Sequence, residues 1–415
     1  MNQNPSLRER QIGWRLTQIV ILAFTTILVL SLTDNNNDHS QVLTDVPLLT
    51  SEEKPELLTS STEPPEISVT PSQQPKDLRK FTLIATGELL IHELVAEAAS
   101  SYANTGFNFL PMFEKVKPII KGADLALCHL ETPLSFDNSV LKYYPVFQVP
   151  YELADAIADT GYQGCSIASN HLLDNGIKGL ESTLNHLNAA GVMASGASLS
   201  GTDTGSSRFT PKGISVAHLS YTNLMNGASL PLDPPWIANH LEVSRVIEDA
   251  DAAVKNGAEF VVVSVHWGNE YLSDISAEQE DIAIQLLSSK NIDLLIGHGA
   301  HVIQPVLKVG NKYAVVGMGN FLSNQPGDER VRCSRCPPET QDGMIAWFSI
   351  SDFPDGSIRV VDAGYVPTWV DRSNYEIIPI GVEKPDLVNV GNLESSVGRT
   401  SNVLEPGFRR LTFKE

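Results

Sequence analysis

The sequence predicts an α/β protein in which helices cover a largely buried sheet. From Lys80 onward, short apolar runs alternate with longer runs of helical period, which is the order of elements in layered α/β folds. The chain has 415 residues, of which 42% are hydrophobic, so it contains enough apolar material for one large domain or two ordinary ones. Polar, chemistry-capable side chains also recur where the apolar runs end, as expected of a functional edge of such a sheet.

The apolar and helical runs follow one another regularly along the chain. The strand-like segments are FTLIATG, ADLALCHLE, YQGCSIASN, GISVAHLSYT, AEFVVVSVHWG, IDLLIGHGAH and KYAVVGMGNF. Helical spacing is found in LLIHELVAEAASSYA, PYELADAIADTG, GIKGLESTLNHLNAAG, NHLEVSRVIEDADAAVKNG and SAEQEDIAIQLLSSKN. The segment GMIAWFSISDFPDGSIRVVDAGYVP then predicts a β-meander that turns at PDG.

Residues 1–33 are predicted to be a cytoplasmic N-terminus and a membrane anchor. An apolar run over residues 18–33 is long enough, near the lower limit, for a spanning helix. Basic residues precede this run and acidic residues follow it, namely Arg8, Arg10 and Arg15 before, and Asp34 and Asp38 after. The positive-inside rule then leaves the rest of the chain outside the cytoplasm. A cleaved signal peptide is the alternative, although no A-x-A-like site closes the run.

Residues 34–79 are predicted to be a disordered linker, because they are rich in Pro, Ser, Thr and Glu and show no sustained apolar period. The net charge of the whole chain is −20, from 49 acidic and 29 basic residues. This balance argues against nucleic acid as a partner, since phosphate binding needs clustered Lys and Arg. It also disfavours broad adhesion to anionic lipid.

The four cysteines predict two different environments. Cys128 and Cys165 lie in apolar strand-like runs and are predicted to be buried thiols. Cys333 and Cys336 have CxxC spacing, but a zinc site would need a second such pair, which is absent from the sequence. A local disulfide between Cys333 and Cys336 is the remaining interpretation in an oxidising compartment.

Polar groups follow six of the predicted strands. They are Glu88 and His92; His129 and Glu131; Asn170, His171 and Asp174; His266, Trp267 and Glu270; His298 and His301; and Asn320. Any one histidine is more often a core residue than a ligand, and Asn170 with Asp174 fits a helix N-terminus equally well. Surface positions in a first helical turn are the alternative for Glu88 and His92, and a structural role is favoured for Trp267 and Glu270. Six strands ending in this way predict a site.

The residue types in this set predict the chemistry of the site. Carboxylate, amide and imidazole ligands on different loops suit two divalent ions such as Mn²⁺, Fe or Zn²⁺. One carboxylate can bridge such a pair, and the ions can neutralise charge on a phosphoryl-like oxyanion.

Six motifs of the sequence resemble those of one protein family. They are TGELL, ADLALCHLETPLS, ASNHLLDNGIKGLESTLNHLNAAGV, VSVHWGNEY, IGHGAHVIQPV and GMGNFLSNQ. In this order they resemble the CapA-type capsule and poly-γ-glutamate biosynthesis proteins of the calcineurin-like metallophosphoesterase superfamily. The resemblance covers about residues 80–370 and implies a four-layer α-β-β-α sandwich there, with residues 371–415 as a C-terminal extension. It implies an anionic polymer or phosphoester substrate and capsule or polyglutamate synthesis membrane subunits as partners.

The same resemblance implies roles for individual residues. Asn170 would bind a metal ion, His171 would donate a proton or stabilise an oxyanion, and Asp174 would orient His171. The remaining implied ligands are Glu131 as the bridge, Glu88 and His301 on one ion, and His266 and His298 with Asn170 on the other.

The chain departs from the family pattern at three places. Glu88 stands where the family usually has Asp, His129 where it has Asn, and Gly299-Ala300-His301 where it has His-Pro-His. Two alternatives therefore stay open beside a capsule-assembly protein with a metal site. One is a non-catalytic assembly or export factor that uses the same cleft, and the other is a general metal-dependent phosphodiesterase.

Overall fold

The computed structural model describes residues 78–201, 204–227, 233–327, 333–381, 390–405 and 407–412. The predicted membrane anchor and nearly all of the predicted linker lie outside these residues. Within the described ranges, each helix is too short or too polar to cross a bilayer.

The described strands and helices alternate much as predicted. The strands are β1 (Lys80–Leu90), β2 (Leu125–Leu130), β3 (Gly164–Ser166), β4 (Met193–Ser195), β5 (Ser207–Phe209), β6 (Val216–Thr222), β7 (Phe260–His266), β8 (Leu294–His298), β9 (Val306–Val309), β10 (Lys312–Val315), β11 (Asn320–Ser323), β12 (Asp342–Asp352), β13 (Ile358–Asp371), β14 (Glu376–Pro379) and β15 (Arg409–Arg410). The helices are α1 (Glu93–Ser101), α2 (Leu110–Phe113), α3 (Lys117–Lys121), α4 (Leu153–Thr160), α5 (Gly176–Ala189), α6 (Val243–Lys255), α7 (Ala277–Ser288) and α8 (Val390–Leu404).

The strands form two mixed sheets. In the nine-stranded sheet the order is β14-β13-β12-β1-β2-β3-β4, with β11 beside β1 and β15 beside β13. In the six-stranded sheet the order is β5-β6-β7-β8-β10-β9. β12 and β13 pair antiparallel, as the predicted meander requires. Beyond residue 370, β14 and β15 both pair with β13, so this part of the chain adds strands to the same sheet.

Three apolar cores separate four layers, α-β-β-α. Successive residues of a strand point to opposite faces of its sheet. Leu83 of β1 therefore packs with Val262 of β7 between the two sheets, whereas Ile84 faces α1, α4 and α5. On the other sheet, Val263 of β7 faces α6 and α7. Both sheets are thus buried on two faces, and their parallel strands end at a common edge, where the predicted site residues lie.

β1 is longer than predicted. Its apolar run ends at Gly87, but the strand continues to Leu90, because it pairs on both sides: Glu88 lies opposite His129 of β2 and opposite Asn320 of β11. Glu88 is fully buried, and His92 is 8% exposed. The interpretation of Glu88 and His92 as surface residues in a first helical turn is therefore wrong.

The predicted strand KYAVVGMGNF is two strands in different sheets. β10 belongs to the six-stranded sheet and β11 to the nine-stranded sheet, and residues 316–319 cross between them. Two glycines permit the crossing. Gly319 has φ +69°, and a Cβ on Gly87 would lie 2.0 Å from the Gly319 carbonyl oxygen. The Glu88 N–H donates to that same oxygen at 3.0 Å, so the crossing also positions Glu88.

Both cysteine pairs form disulfides. Cys128 and Cys165 lie opposite each other on β2 and β3 with their Cα atoms 4.4 Å apart, so the prediction of two free thiols is wrong. The strand runs showed that both residues are buried but could not show that β2 and β3 are neighbours. The predicted local disulfide between Cys333 and Cys336 is confirmed.

Candidate metal centre

Glu88, Glu131 and His301 form a buried cluster at the carboxyl ends of β1, β2 and β8. One potential ligand atom from each lies within 4.8 Å of the other two. His301 Nδ1 lies 2.5 Å from Glu88 Oε2 and 3.9 Å from Glu131 Oε2. The other Glu88 oxygen accepts a hydrogen bond from the Gly299 N–H at 2.6 Å.

The electrostatics of this cluster favour a bound cation. Burial is the largest influence on the pKa of Glu131, which is raised to about 7. The positive charge of His301 acts to lower this pKa, and the negative charge of Glu88 acts with burial to raise it. Burial lowers the pKa of His301, but the charges of Glu88 and Glu131 outweigh it and raise that pKa to about 10. Neither carboxylate oxygen of Glu131 has a hydrogen-bond donor among the described residues. His301 at 3.9 Å offsets part of the Glu131 charge but donates no hydrogen bond to it, and two buried carboxylates share this one imidazole. A buried carboxylate is costly unless it is fully paired or binds a metal ion, so the cluster fits a divalent cation.

Three stacked imidazoles adjoin the cluster on β2, β7 and β8. The ring of His129 lies 4.1 Å from that of His298 and 5.3 Å from that of His266. His129 Nδ1 is 2.8 Å from Ser166 Oγ, and its Nε2 is 3.2 Å from His266 Nδ1. Burial holds the pKa of all three imidazoles well below the usual value. They are therefore neutral at pH 7, which is the form that binds metal ions.

Asn170, His171 and Asp174 lie in the turn between β3 and α5. The helix begins at Gly176 after Asn175, so the helix N-terminus interpretation of these residues is wrong. The Asn170 side-chain oxygen is buried without a hydrogen-bond donor among the described residues. His171 Nδ1 lies 2.8 Å from Asp174 Oδ2, which also accepts from the Phe147 N–H at 2.6 Å. This carboxylate therefore fixes the orientation of the His171 ring.

A cavity of ≈ 310 Å³ opens above the centre, and Asn170, His171 and His301 all line it. Asp174 lies behind His171 and instead borders a different cavity. The other four predicted ligands are buried and do not line the cavity, namely Glu88, Glu131, His266 and His298.

Several residues around the site were not predicted from the sequence. Tyr144, Phe147, Asn226 and Arg335 line the cavity from segments outside the six motifs, whereas Tyr271 and Gln325, which also line it, are the last residues of two of those motifs. For Arg335, the flanking cysteines were a visible signal. His129 belongs to the predicted polar strand ends but not to the implied ligands, although it contacts two of them, His266 and His298. Trp267 has the structural role expected of it, since its indole N–H donates to the Val316 carbonyl at 2.9 Å in a buried position. Glu270 lines the cavity.

The buried imidazoles predict that the metal-free protein loses stability as the pH falls below 6.5. Burial is the main cause that lowers the pKa of each of them, to about 4 for His92 and about 3 for His218, with His129, His266 and His298 in the same direction. Below pH 6.5 the unfolded chain takes up protons that the folded chain does not. Each of these imidazoles then lowers the free energy of unfolding by about 1.4 kcal/mol per pH unit. Glu131 acts in the opposite direction between pH 4.5 and about 7, because its folded-state pKa is raised.

Urea denaturation at several pH values measures this loss. His218 is a suitable position for the test, because it contacts Ser264 Oγ at 2.9 Å and is not among the proposed ligands. Below pH 6.5, the free energy of unfolding of a His218→Gln variant should fall less steeply than that of the parent, by about 1.4 kcal/mol per pH unit, the contribution of one imidazole. Equal slopes in the variant and the parent would contradict the assignment of His218 as a neutral buried imidazole.

Together, the two sheets and the buried carboxylate–histidine centre define a layered α/β protein with a candidate metal site. The family model for the bacterial capsule synthesis protein PGA_cap matches residues 82–325, and the chain belongs to that family. The resemblance found in the six motifs is thereby confirmed.

Two relatives have names that agree with this family. The chain is 26% identical over 230 residues to the PGA biosynthesis protein CapA of Bacillus subtilis (strain 168), which covers 54% of this chain and 59% of the relative. It is 25% identical over 260 residues to the capsule biosynthesis protein CapA of Bacillus anthracis, which covers 60% of this chain and 61% of the relative. The chain therefore matches about three fifths of the length of these relatives.

Solved structures give weaker likenesses. The calcineurin-like phosphoesterase YfkN from Bacillus subtilis has a TM-score of 0.42 and 12% identity, covering 78% of this chain and 97% of that one. A Staphylococcus aureus protein whose structure is named as that of a 5'-nucleotidase has a TM-score of 0.44 and 13% identity, covering 78% of this chain and 58% of that one.

Proposed function

We propose that this chain is a membrane-anchored, extracytoplasmic protein of capsule or poly-γ-glutamate assembly that acts on an anionic substrate at a metal centre. The observation that carries the proposal is the Glu131 carboxylate, buried without a donor beside Glu88 and His301. The family and the names of the relatives support the capsule or polyglutamate role and an association with the synthesis machinery.

Six residues would hold the divalent ions. Glu88 and His301 would bind one, Glu131 would bridge, and the second would be held by Asn170, His266 and His298. The unpartnered side-chain atoms support this set, because Asn170 Oδ1 and His298 Nδ1 are also buried without partners among the described residues. When bound, such ions supply Lewis acidity and neutralise charge on a phosphoryl-like oxyanion.

His171 would transfer a proton at this site. Asp174 accepts the hydrogen bond from Nδ1–H, and Nε2 of this cavity-lining ring has a long contact of 3.4 Å to the Asn226 side-chain nitrogen, which a substrate group could replace. From that position His171 can donate a proton to a leaving group or a hydrogen bond to an oxyanion.

A non-catalytic assembly or export factor is the second candidate, and one contact favours it. His266 Nδ1 lies 3.2 Å from His129 Nε2, so one nitrogen of a proposed ligand is already engaged by a residue that departs from the family pattern. Turnover separates the candidates. A metal-loaded chain that cleaves no phosphodiester, ester or γ-glutamyl substrate supports the non-catalytic factor. Cleavage of diverse phosphodiesters but not γ-glutamyl substrates supports a general phosphodiesterase.

Metal content tests the proposed centre directly. We expect residues 75–415, purified after exposure to Mn²⁺, Fe²⁺ or Zn²⁺, to retain at least one ion per chain by elemental analysis, because two buried carboxylates and an imidazole lie within ligand distance of one another there. Asn170→Ala and His266→Ala should lower the content while circular dichroism stays unchanged. A parent that binds no ion contradicts the proposal. Unchanged metal content in both variants would mean that Asn170 and His266 have structural roles and are not ligands.

The proposed topology rests on the charge asymmetry around residues 18–33 and predicts exposure of the following segment outside the cell. Protease added to intact cells should release a soluble fragment by cutting between residues 40 and 75. Digestion that occurs only after lysis would contradict an extracytoplasmic domain.

A further inference from the structure

The cavity above the metal centre continues into a second cavity of ≈ 210 Å³. The two cavities have five lining residues in common, namely His92, Tyr144, Tyr271, Gln325 and Arg335. They therefore form one groove, which we call the rim groove. It runs from the metal centre to the loop that carries the Cys333–Cys336 disulfide.

Two positively charged side chains line the rim groove among the described residues: His301, whose charge is already engaged by Glu88 and Glu131, and Arg335. Glu88 and Glu131 are buried beside His301, and Glu270 lines the groove. Among the described residues that line either cavity, Arg335 is the one arginine or lysine. Of the side chains that the structure describes, Arg335 is therefore the one that can neutralise a substrate anion lying beyond the reach of the metal centre.

The present contact of Arg335 is easily exchanged. Its Nη2 lies 3.6 Å from Glu270 Oε2, and the two side chains are 77% and 42% exposed. Exposed ion pairs of this kind contribute little to stability. The planar guanidinium has donors arranged to bind both oxygens of a carboxylate or phosphate group.

The disulfide fixes the backbone that carries Arg335. Cys333 and Cys336 close a ring of four residues around it, and the Cys336 N–H donates to Cys333 Sγ at 3.1 Å. The Cys333 N–H donates to the Pro326 carbonyl at 3.2 Å, which ties the ring to the wall of the groove. A preordered backbone reduces the entropy lost when a ligand binds.

We propose that Arg335, held at the rim groove by the Cys333–Cys336 disulfide, binds a carboxylate or phosphate group of the substrate away from the reacting bond. Arg335 is thus a specificity residue of the site, and this inference rests on the proposed function. Substrates with a second anionic group are selected over those with one.

Binding of defined probes to the full-length, Mn²⁺-loaded chain in detergent tests this assignment. The probes are a fluorescent oligo-glutamate and a fluorescent oligophosphate, which distinguish carboxylate from phosphate as the source of the anion. We expect Arg335→Ala to raise the Kd of the preferred probe about tenfold, the scale of one charge-assisted hydrogen-bonded contact. Arg335→Lys should lose less, because it keeps the charge but not the paired donors.

Three comparisons make the test specific. Arg409→Ala is the matched control. Like Arg335, Arg409 is exposed and forms an ion pair with an acidic residue, in this case Asp362 of β13. It should leave the Kd unchanged. Cys333→Ser with Cys336→Ser should weaken binding several-fold, and a reductant should do the same to the parent but not to that variant.

Metal content of each variant separates this inference from the proposed function. Arg335→Ala should keep the metal content of the parent, because Arg335 is not a proposed ligand. Equal affinity of Arg335→Ala and the metal-loaded parent, an equal loss in Arg409→Ala, or no binding of either probe to the parent would overturn the role of Arg335. A parent without metal would instead contradict the proposed function.

Discussion

Glu131→Gln is expected to stabilise the metal-free protein and to abolish its stabilisation by divalent metal ions. Burial raises the pKa of Glu131 to about 7 against an ordinary value of 4.5, so its ionised form is unfavourable in the folded, metal-free chain above pH 7. Removing that charge should raise the free energy of unfolding at pH 8 by on the order of 3 kcal/mol. With metal at a hundred times its Kd, the parent should gain about 2.7 kcal/mol, and the variant should gain almost nothing.

Thermal or urea denaturation with and without Mn²⁺ measures both effects. Asp293→Asn is the matched control, because burial also raises the pKa of Asp293, to about 6, and Asp293 lies at the end of β8 opposite to the metal centre. This control should be stabilised without metal and still respond to metal fully. If Glu131→Gln destabilises the metal-free chain, or keeps the full response to Mn²⁺, the assignment of Glu131 as a ligand is wrong.

His171→Ala is expected to lower turnover of a phosphodiester such as bis-p-nitrophenyl phosphate by about 10²–10⁴-fold while metal content stays near that of the parent. The reason is that His171 lines the cavity but is not a proposed ligand, and its ring is oriented by Asp174 at 2.8 Å. Asp174→Asn should lose less, since it disturbs only the orientation and the tautomer of the ring.

The comparison of the two variants is the informative measurement. A His171→Ala variant as active as the parent excludes a role in proton transfer, and loss of metal in this variant indicates a ligand or a folding role instead. Asn226, whose side-chain nitrogen lies 3.4 Å from the His171 ring, offers a control in the same cavity. Asn226→Ala should affect turnover less than His171→Ala, because Asn226 carries no transferable proton at neutral pH.

The layered architecture and the edge that carries the site could be predicted from the sequence, because both follow from local pattern. Strand-like runs with polar residues at their carboxyl ends placed Glu131, His266 and His298 correctly at one edge of the sheets. The connection between residues 316 and 319 could not be predicted, since an apolar run does not indicate which sheet each half of it joins. For the same reason the Cys128–Cys165 bridge was missed, because neighbouring strands are set by tertiary pairing and not by spacing.

Within the site, the residue types could be predicted but the contacts could not. That His129 stacks on His298 with the rings 4.1 Å apart depends on how β2 and β8 face each other across the two sheets. That Arg335 reaches the groove depends on a loop outside the six motifs. Both contacts join parts of the chain that are far apart in sequence, where local periodicity carries no information.

The contact between Gly87 and Gly319 has a consequence for how distant relatives of this chain should be recognised. A side chain at Gly87 would meet the Gly319 carbonyl, and Gly319 itself holds φ +69°, so neither position accepts another residue without moving the strand that carries Glu88. The proposed metal ligands are under a looser constraint, because Asp and Glu both offer carboxylates and this chain already has Glu at position 88. Over long divergence, ligand identities should therefore drift while this glycine pair persists. A search keyed to the pair and its strand spacing should find members that ligand motifs overlook.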